Sequence, residues 1–78
     1  MTTLANQIAD ELAKEVIAHV EKTGDEDLIS ILGKVLGDSS STLQEAFITS
    51  VRVQRAAIRA RKIMQVRLKE FEDRGFDV

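Results

Sequence analysis

The 78-residue chain lacks cysteine, proline, tryptophan and tyrosine, and it contains a single histidine. Without cysteine it forms no disulfide and no thiolate metal site, which fits a reducing compartment. The lack of tryptophan and tyrosine argues against the base stacking used by proteins that bind single-stranded nucleic acid. With one histidine and no acid–base pair readable from spacing, we expect no enzyme, no cofactor and no metal site.

Long apolar runs are also missing. No stretch approaches the roughly 20 apolar residues that span a bilayer, and the first residues lack the basic and apolar regions of a signal peptide. We therefore expect a cytoplasmic protein without a membrane partner. The length allows one domain, residues 1–78, with 75–78 as a short C-terminal tail. A chain this small buries only about 60% of its unfolded surface, so its core is marginal unless it is oligomeric.

The segment 42–74 contains no glycine and no proline, and it carries eight of the eleven lysine and arginine residues. As one helix of 33 residues it would be about 50 Å long. A compact globule of this chain length is only about 30 Å across. The helix is therefore predicted to project from any compact monomer, and we expect a second copy of the chain or another protein to cover it.

Apolar periodicity predicts an all-α fold with helices at about 3–23, 26–36 and 42–74. Thr2 or Thr3 is a candidate N-cap of the first helix and Gly24 its C-cap, and Asp25 is a candidate N-cap of the second. One apolar face of the first helix repeats every four residues, at Leu4, Ile8, Leu12, Val16 and Val20.

The second predicted helix is apolar on nearly all sides, which is typical of a buried helix. Gly33 suggests close approach of another backbone, Gly37 is predicted to end the helix, and Ser41 or Thr42 to begin the third. The first two helices either lie end to end along the third, antiparallel to it, or the second turns away. Three helices are too few to bury these apolar faces, so we favour a dimeric bundle of six helices.

Charge is distributed in blocks. Residues 1–51 carry a net charge of −6, residues 52–69 carry +7 without one acid, and residues 70–78 carry −3. A basic block in an acidic chain either pairs with its own acidic helices, within or between subunits, or forms a surface for an anion or a partner. Five of its residues share one side of the predicted third helix, and we call them the basic ridge: Arg52, Arg55, Arg59, Lys62 and Lys69.

Polar residues interrupt the apolar side of the third helix at Ser50, Gln54 and Arg61. A buried arginine needs a carboxylate partner, and Glu11 and Glu15 are candidates. Such layers often set register and oligomeric state in helical assemblies. We expect an oligomer seam formed by Gln54, Ala57, Arg61, Met64 and Leu68.

His19 lies at the apolar edge of the first helix and is predicted to be a partly buried structural histidine. Its spacing from Glu15 is four residues, whereas the metal-binding motif of di-iron bundles separates glutamate and histidine by three. We therefore assign it no metal.

The segment 29–48 resembles the helix-turn-helix of DNA-binding repressors. The resemblance rests on a small residue at Gly33, the turn glycine Gly37, a serine-rich cap, and apolar Leu43 and Ala46. It implies DNA contacts near the start of the third helix, at Ser40, Thr42, Gln44 and Glu45.

Two classes of function follow. The favoured one is a homo-oligomeric module for protein–protein interaction or regulation, without catalysis. The alternative is a DNA-binding regulator that uses the segment 29–48.

Overall fold

The structure, a computed structural model, describes residues 3–75 and consists of three helices. They are α1 (Leu4–Thr23), α2 (Asp27–Ser39) and α3 (Ser41–Asp73). The predicted all-α class is confirmed, as is the great length of the last helix. Of the predicted tail, residues 76–78 lie outside the described residues.

The ends of α1 follow local capping chemistry. The hydroxyl of Thr3 accepts a hydrogen bond from the backbone N–H of Asn6 at 3.1 Å, while Thr2 lies outside the described residues. Gly24 adopts a left-handed conformation with φ of 75°, and its N–H donates to the carbonyl of Val20 at 2.7 Å. Both caps are among those that the sequence predicts.

The turn after α1 differs from the prediction at Asp25. Glu26, not Asp25, precedes the first turn of α2, and it makes no side-chain capping bond. The carboxylate of Asp25 lies instead 3.2 Å from Nε2 of His19. The imidazole is exposed, so the prediction of a partly buried histidine is wrong: the ring lies over the turn rather than over the core.

The junction between α2 and α3 is a single residue, Ser40. The prediction that Gly37 ends α2 is wrong: the helix continues to Ser39, and Ser40 donates its N–H to the carbonyl of Leu36 at 2.8 Å. A left-handed glycine is unnecessary because Ser40 itself turns the chain in an extended conformation. Its hydroxyl accepts from the N–H of Leu43 at 3.1 Å, so α3 begins one residue earlier than predicted.

The three helices run up, down and up. Near its middle, α1 contacts α3 through Asp10, which meets Ser50 and Gln54. Its end, at Ile17 and Val20, lies beside residues 55–62 of α3. The two helices therefore run in the same direction, and the expectation that helices 1 and 2 lie end to end along α3, antiparallel to it, is wrong. Only α2 is antiparallel: it places Glu26 beside Arg55 and Gly33 beside Ile48.

The core lies between α1 and the first half of α3. Its buried apolar residues are Ala9, Ala13, Val16, Ile17, Val20, Phe47 and Val51. Gly33 is the buried residue of α2, while Ile31 and Val35 are 53% and 57% exposed. The prediction that α2 is a buried helix is therefore wrong for this chain. The reason is geometric: α2 packs against α3 on one side and has little contact with α1.

The molecule is long and flat. It measures 58 × 33 × 13 Å and has a radius of gyration of 16.8 Å, against roughly 11–12 Å for a compact chain of this length. A thickness of 13 Å accommodates at most two packed helices, whose axes lie about 8–10 Å apart. Among the residues described, no helix is long and apolar enough to cross a membrane.

Candidate functional site

The last part of α3 contributes nothing to the buried core formed by residues 3–75. Every residue from 59 to 75 is exposed, whereas the first half of the same helix contains Phe47 with no exposed surface. We call residues 59–73 the distal segment. Large apolar side chains lie exposed on it, with exposed fractions from 37% to 64%: Ile63, Met64, Val66, Leu68 and Phe71.

Three of these large side chains continue a line of apolar residues that begins at Ala57 and Ala60. Successive members are three or four residues apart, and at about 100° per residue such positions share one side of a helix. This spacing is typical of the seam between two coiled helices. We call this line the distal stripe; it comprises Ala57, Ala60, Met64, Leu68 and Phe71.

The distal stripe contains three of the five predicted seam residues, Ala57, Met64 and Leu68, and Arg61 lies beside it. Ala57 is half-buried, and Arg61, Met64 and Leu68 are exposed. The structure does not place Arg61 beside the predicted partners: no acid among residues 3–75 forms an ion pair with it. Whether these residues form a seam between subunits stays a prediction.

The fifth predicted seam residue, Gln54, has partners within the chain. Its Nε2 donates to the carbonyl of Asp10 at 3.1 Å and to the hydroxyl of Ser50 at 3.0 Å. The Ser50 hydroxyl in turn donates to the carboxylate of Asp10 at 2.6 Å. The sequence analysis did not identify Asp10 as a partner of these residues. Ser50 and Gln54 are polar residues on the apolar side of α3, and because buried polar groups need hydrogen-bond partners, they were the signal that a polar residue of another helix lies beside them.

An open groove runs beside this network, between α1 and the first half of α3. Its volume is about 840 Å³, and we call it the α1/α3 groove. Its α3 wall carries Val53, which is 62% exposed, and Ala46. Three acids and one lysine line it, giving a net charge of −2: Asp10, Glu11, Glu45 and Lys14.

Among the described residues, one member of the basic ridge, Arg55, forms an ion pair. Both terminal nitrogens of Arg55 donate to the carboxylate of Glu26, at 3.1 and 2.8 Å. These hydrogen bonds lower the pKa of Glu26 and raise the pKa of Arg55. Within residues 3–75 the four other ridge residues are exposed and form no ion pair: Arg52, Arg59, Lys62 and Lys69.

A second apolar patch lies beside the ridge. Ile63 and Val66, which are 64% and 53% exposed, line an open depression of about 540 Å³ together with three bases and one acid: Arg59, Lys62, Arg67 and Glu70. Cationic side chains around an apolar floor fit an acidic amphipathic segment better than they fit a plain polyanion.

The segment that resembles a helix-turn-helix forms an antiparallel helical hairpin with a one-residue connection. Two of its candidate DNA contacts are engaged within the chain: Ser40 caps α3, and Nε2 of Gln44 donates to the carbonyl of Gly33 at 2.9 Å. Thr42 and Glu45 are exposed, and both line the α1/α3 groove.

The described part of the chain contains no group of three or more histidine, cysteine, aspartate or glutamate residues that would hold a metal ion. Comparisons with protein-family models, with curated proteins and with solved structures find no match to this chain.

Proposed function

We propose that this chain is a cytoplasmic, non-catalytic helical module for protein–protein interaction, and that it acts as a homodimer. The observation that carries the proposal is the distal segment, in which every described residue is exposed and five large apolar side chains face solvent. An isolated helix of about 15 residues is only marginally stable in water, because most helical stability in proteins comes from packing. Covering this segment would stabilise it.

The exposed area supports the same proposal. The chain exposes 6145 Å², whereas a compact protein of 8.7 kDa exposes about 4,700 Å². The excess is about 1,400 Å². If each chain buried this excess against its copy, the total interface of about 2,800 Å² would lie in the range of obligate homodimers.

The basic ridge gives such a dimer a surface for a further partner. Arg59 and Lys62 lie on the side of α3 that faces away from the distal stripe, so pairing through the stripe leaves them accessible. Ile63 and Val66 form an apolar floor between them, and the rim, which carries three bases and Glu70, has a net charge of +2. We propose an acidic amphipathic segment of another protein as the ligand of this surface.

The DNA-binding alternative gains no support from the hairpin, in which Gln44 bonds back to α2. It stays a prediction and is tested by mobility shift of random duplex DNA at two salt concentrations, since phosphate contacts weaken steeply with salt.

The dimer is tested by sedimentation equilibrium of the full chain at about 10 and 200 µM. We expect a mass of twice 8.7 kDa at the higher concentration. Replacing both Met64 and Leu68 by aspartate should return the mass to that of one chain, because it places charges in the seam. Circular dichroism verifies that the variant remains helical.

Val35→Asp is the matched control, since Val35 is equally exposed but lies on α2, away from the stripe. It should leave the mass unchanged. A wild-type chain that stays monomeric at the higher concentration would refute the homodimer.

A further inference from the structure

We propose that the distal stripe of one chain occupies the α1/α3 groove of a second copy, and that the reverse contact forms at the same time around a two-fold axis near Ala57. This inference rests on the proposed homodimer and specifies its geometry. It is distinct from the simpler arrangement in which the two distal segments pair only with each other.

The distal stripe and the α3 wall of the groove lie on one side of the same helix. Taking each residue as about 100° of rotation, Ala46, Val53, Ala57, Met64 and Phe71 fall within about 40° of one another. The groove wall and the stripe are thus two halves of one continuous face of α3, of which only the first half is flanked by α1. A two-fold axis at the middle of this face places the stripe of each chain against the groove wall of the other chain. Both surfaces are then occupied, so the assembly is complete with two chains.

The distal stripe and the groove also match in length. The α3 residues that line the groove span 42–54, about 20 Å, and the stripe spans 57–71, about 22 Å. Their centres are residues 48 and 64, so antiparallel superposition places the axis near residue 56. Ala56 and Ala57 lie there, and their small side chains allow two helices to approach closely.

Stripe and groove are also complementary in charge. The groove has a net charge of −2, while two bases, Arg61 and Arg67, lie within about 60° of the centre of the distal stripe on α3. A parallel pairing would set the two basic blocks side by side, which is unfavourable. The antiparallel pairing sets Arg61 and Arg67 of each chain against the acidic groove of the other.

Arg61 shows this complementarity at the level of one side chain. It has no acidic partner within the described part of its own chain. In the antiparallel register it lies opposite residues 51–53 of the second copy, the level at which Asp10 contacts α3. When the two-fold axis is perpendicular to the paired α3 helices, the side of α3 that carries α1 in one copy lies next to the same side in the other copy. Arg61 lies on this side, so it projects toward α1 of the second copy, where Asp10 and Glu11 line the groove.

A first experiment locates the axis, using the natural lack of cysteine. Single variants Ala57→Cys, Met64→Cys and Ser30→Cys are oxidised under mild conditions and separated on a non-reducing gel. A disulfide requires Cα atoms within about 7 Å. We expect a cross-linked dimer from Ala57→Cys and little from the other two. Preferential cross-linking of Met64→Cys would overturn the proposal, because residue 64 lies on the axis when only the distal segments pair.

A second experiment tests the charge contact without relying on a disulfide. Glu11→Lys and Arg61→Glu are both changes of exposed residues, so neither should unfold the chain. Each should weaken dimerisation about tenfold, and the double variant should restore much of the loss. Additive weakening in the double variant would overturn the contact.

Different results would refute the homodimer and its proposed geometry. A monomeric wild-type chain refutes the homodimer and this geometry together. A stable dimer in which Ala57→Cys does not cross-link and the charge exchange does not rescue refutes only the geometry.

Discussion

The two halves of α3 are one continuous helix in very different surroundings. Residues 41–58 lie against α1 and α2 and include Phe47 and Val51, which are 0% and 4% exposed. The distal segment, residues 59–73, has no buried residue. The difference follows from lengths: α1 and α2 extend for about 30 and 20 Å and α3 for about 50 Å. The hydrogen bonds of a helix are local, whereas burial requires a neighbour of sufficient length.

The apolar face also changes direction between the halves. Buried Phe47 and Val51 and partly buried Ile58 lie on one line of the helix, which continues at the same spacing into polar Lys62, Gln65 and Lys69. The apolar residues of the distal segment lie on other sides of the helix. The exposed apolar residues of the distal segment therefore do not continue the face of α3 that forms the internal core. They present a separate surface, which a partner approaching from another direction would cover.

The largest expected difference between the halves comes from one matched pair of substitutions. Phe47→Ala should lower the free energy of unfolding by about 3–5 kcal/mol, enough to unfold much of so small a protein. Phe71→Ala removes the same side chain from the exposed half. The guanidinium groups of Arg67 and Arg74 lie 5.8 and 5.5 Å from the ring centre of Phe71, and exposed contacts of this kind contribute about 0.5–1 kcal/mol. At low micromolar concentration the substitution should therefore change the free energy of unfolding by no more than about 1 kcal/mol. Urea titrations followed by circular dichroism measure both, and equal losses would contradict the contrast.

A smaller, pH-dependent effect is expected where the halves meet, at the Glu26–Arg55 pair. The pKa of Glu26 is lowered in the folded chain, so the pair contributes stability above the ordinary glutamate pKa of about 4.3. That contribution is lost as pH falls through the lower, folded pKa. The melting temperature of Glu26→Gln should therefore fall below that of the wild type at pH 7 and converge with it in acid, once Glu26 of the folded wild type is protonated.

Glu15→Gln is the control for this prediction, because Glu15 is exposed and forms no ion pair among the described residues. Its melting temperature should follow that of the wild type across the same range. A constant deficit of Glu26→Gln at every pH would exclude the ion pair as the cause.

The smallest effects test how tightly α2 lies on the first half of α3. A methyl group added at Gly33 would meet only the side chain of Ile48, at an ordinary 3.9 Å. Gly33→Ala should raise the free energy of unfolding by up to about 1 kcal/mol through helix propensity. A methyl group at Gly37 would overlap the amide of Gln44 and displace it from the carbonyl of Gly33. Gly37→Ala should therefore be close to neutral in the same urea titrations, since the lost hydrogen bond offsets the gain in propensity. Equal stabilisation by both would show that the Gln44 contact contributes little.

Local signals in the sequence predicted the helices well and their contacts poorly. Thr3 and Gly24 act as caps because capping involves atoms within a few residues of each other. The prediction at Gly37 was wrong because α2 does not end in a left-handed residue, the conformation that favours glycine. Its C-cap is Ser40, whose backbone is extended. Asp10 was missed because its partners, Ser50 and Gln54, lie 40 or more residues along the chain.

The sequence alone determined that this protein is a set of helices with one of excessive length. A stretch of 33 good helix formers without glycine or proline specifies its own hydrogen bonding. Only the tertiary structure decided which part of that helix is covered, since this depends on the direction in which α1 and α2 run beside it. The same packing forms the α1/α3 groove and leaves the distal stripe exposed. Both surfaces exist because α1 and α2 are shorter than α3 and pack along its first part.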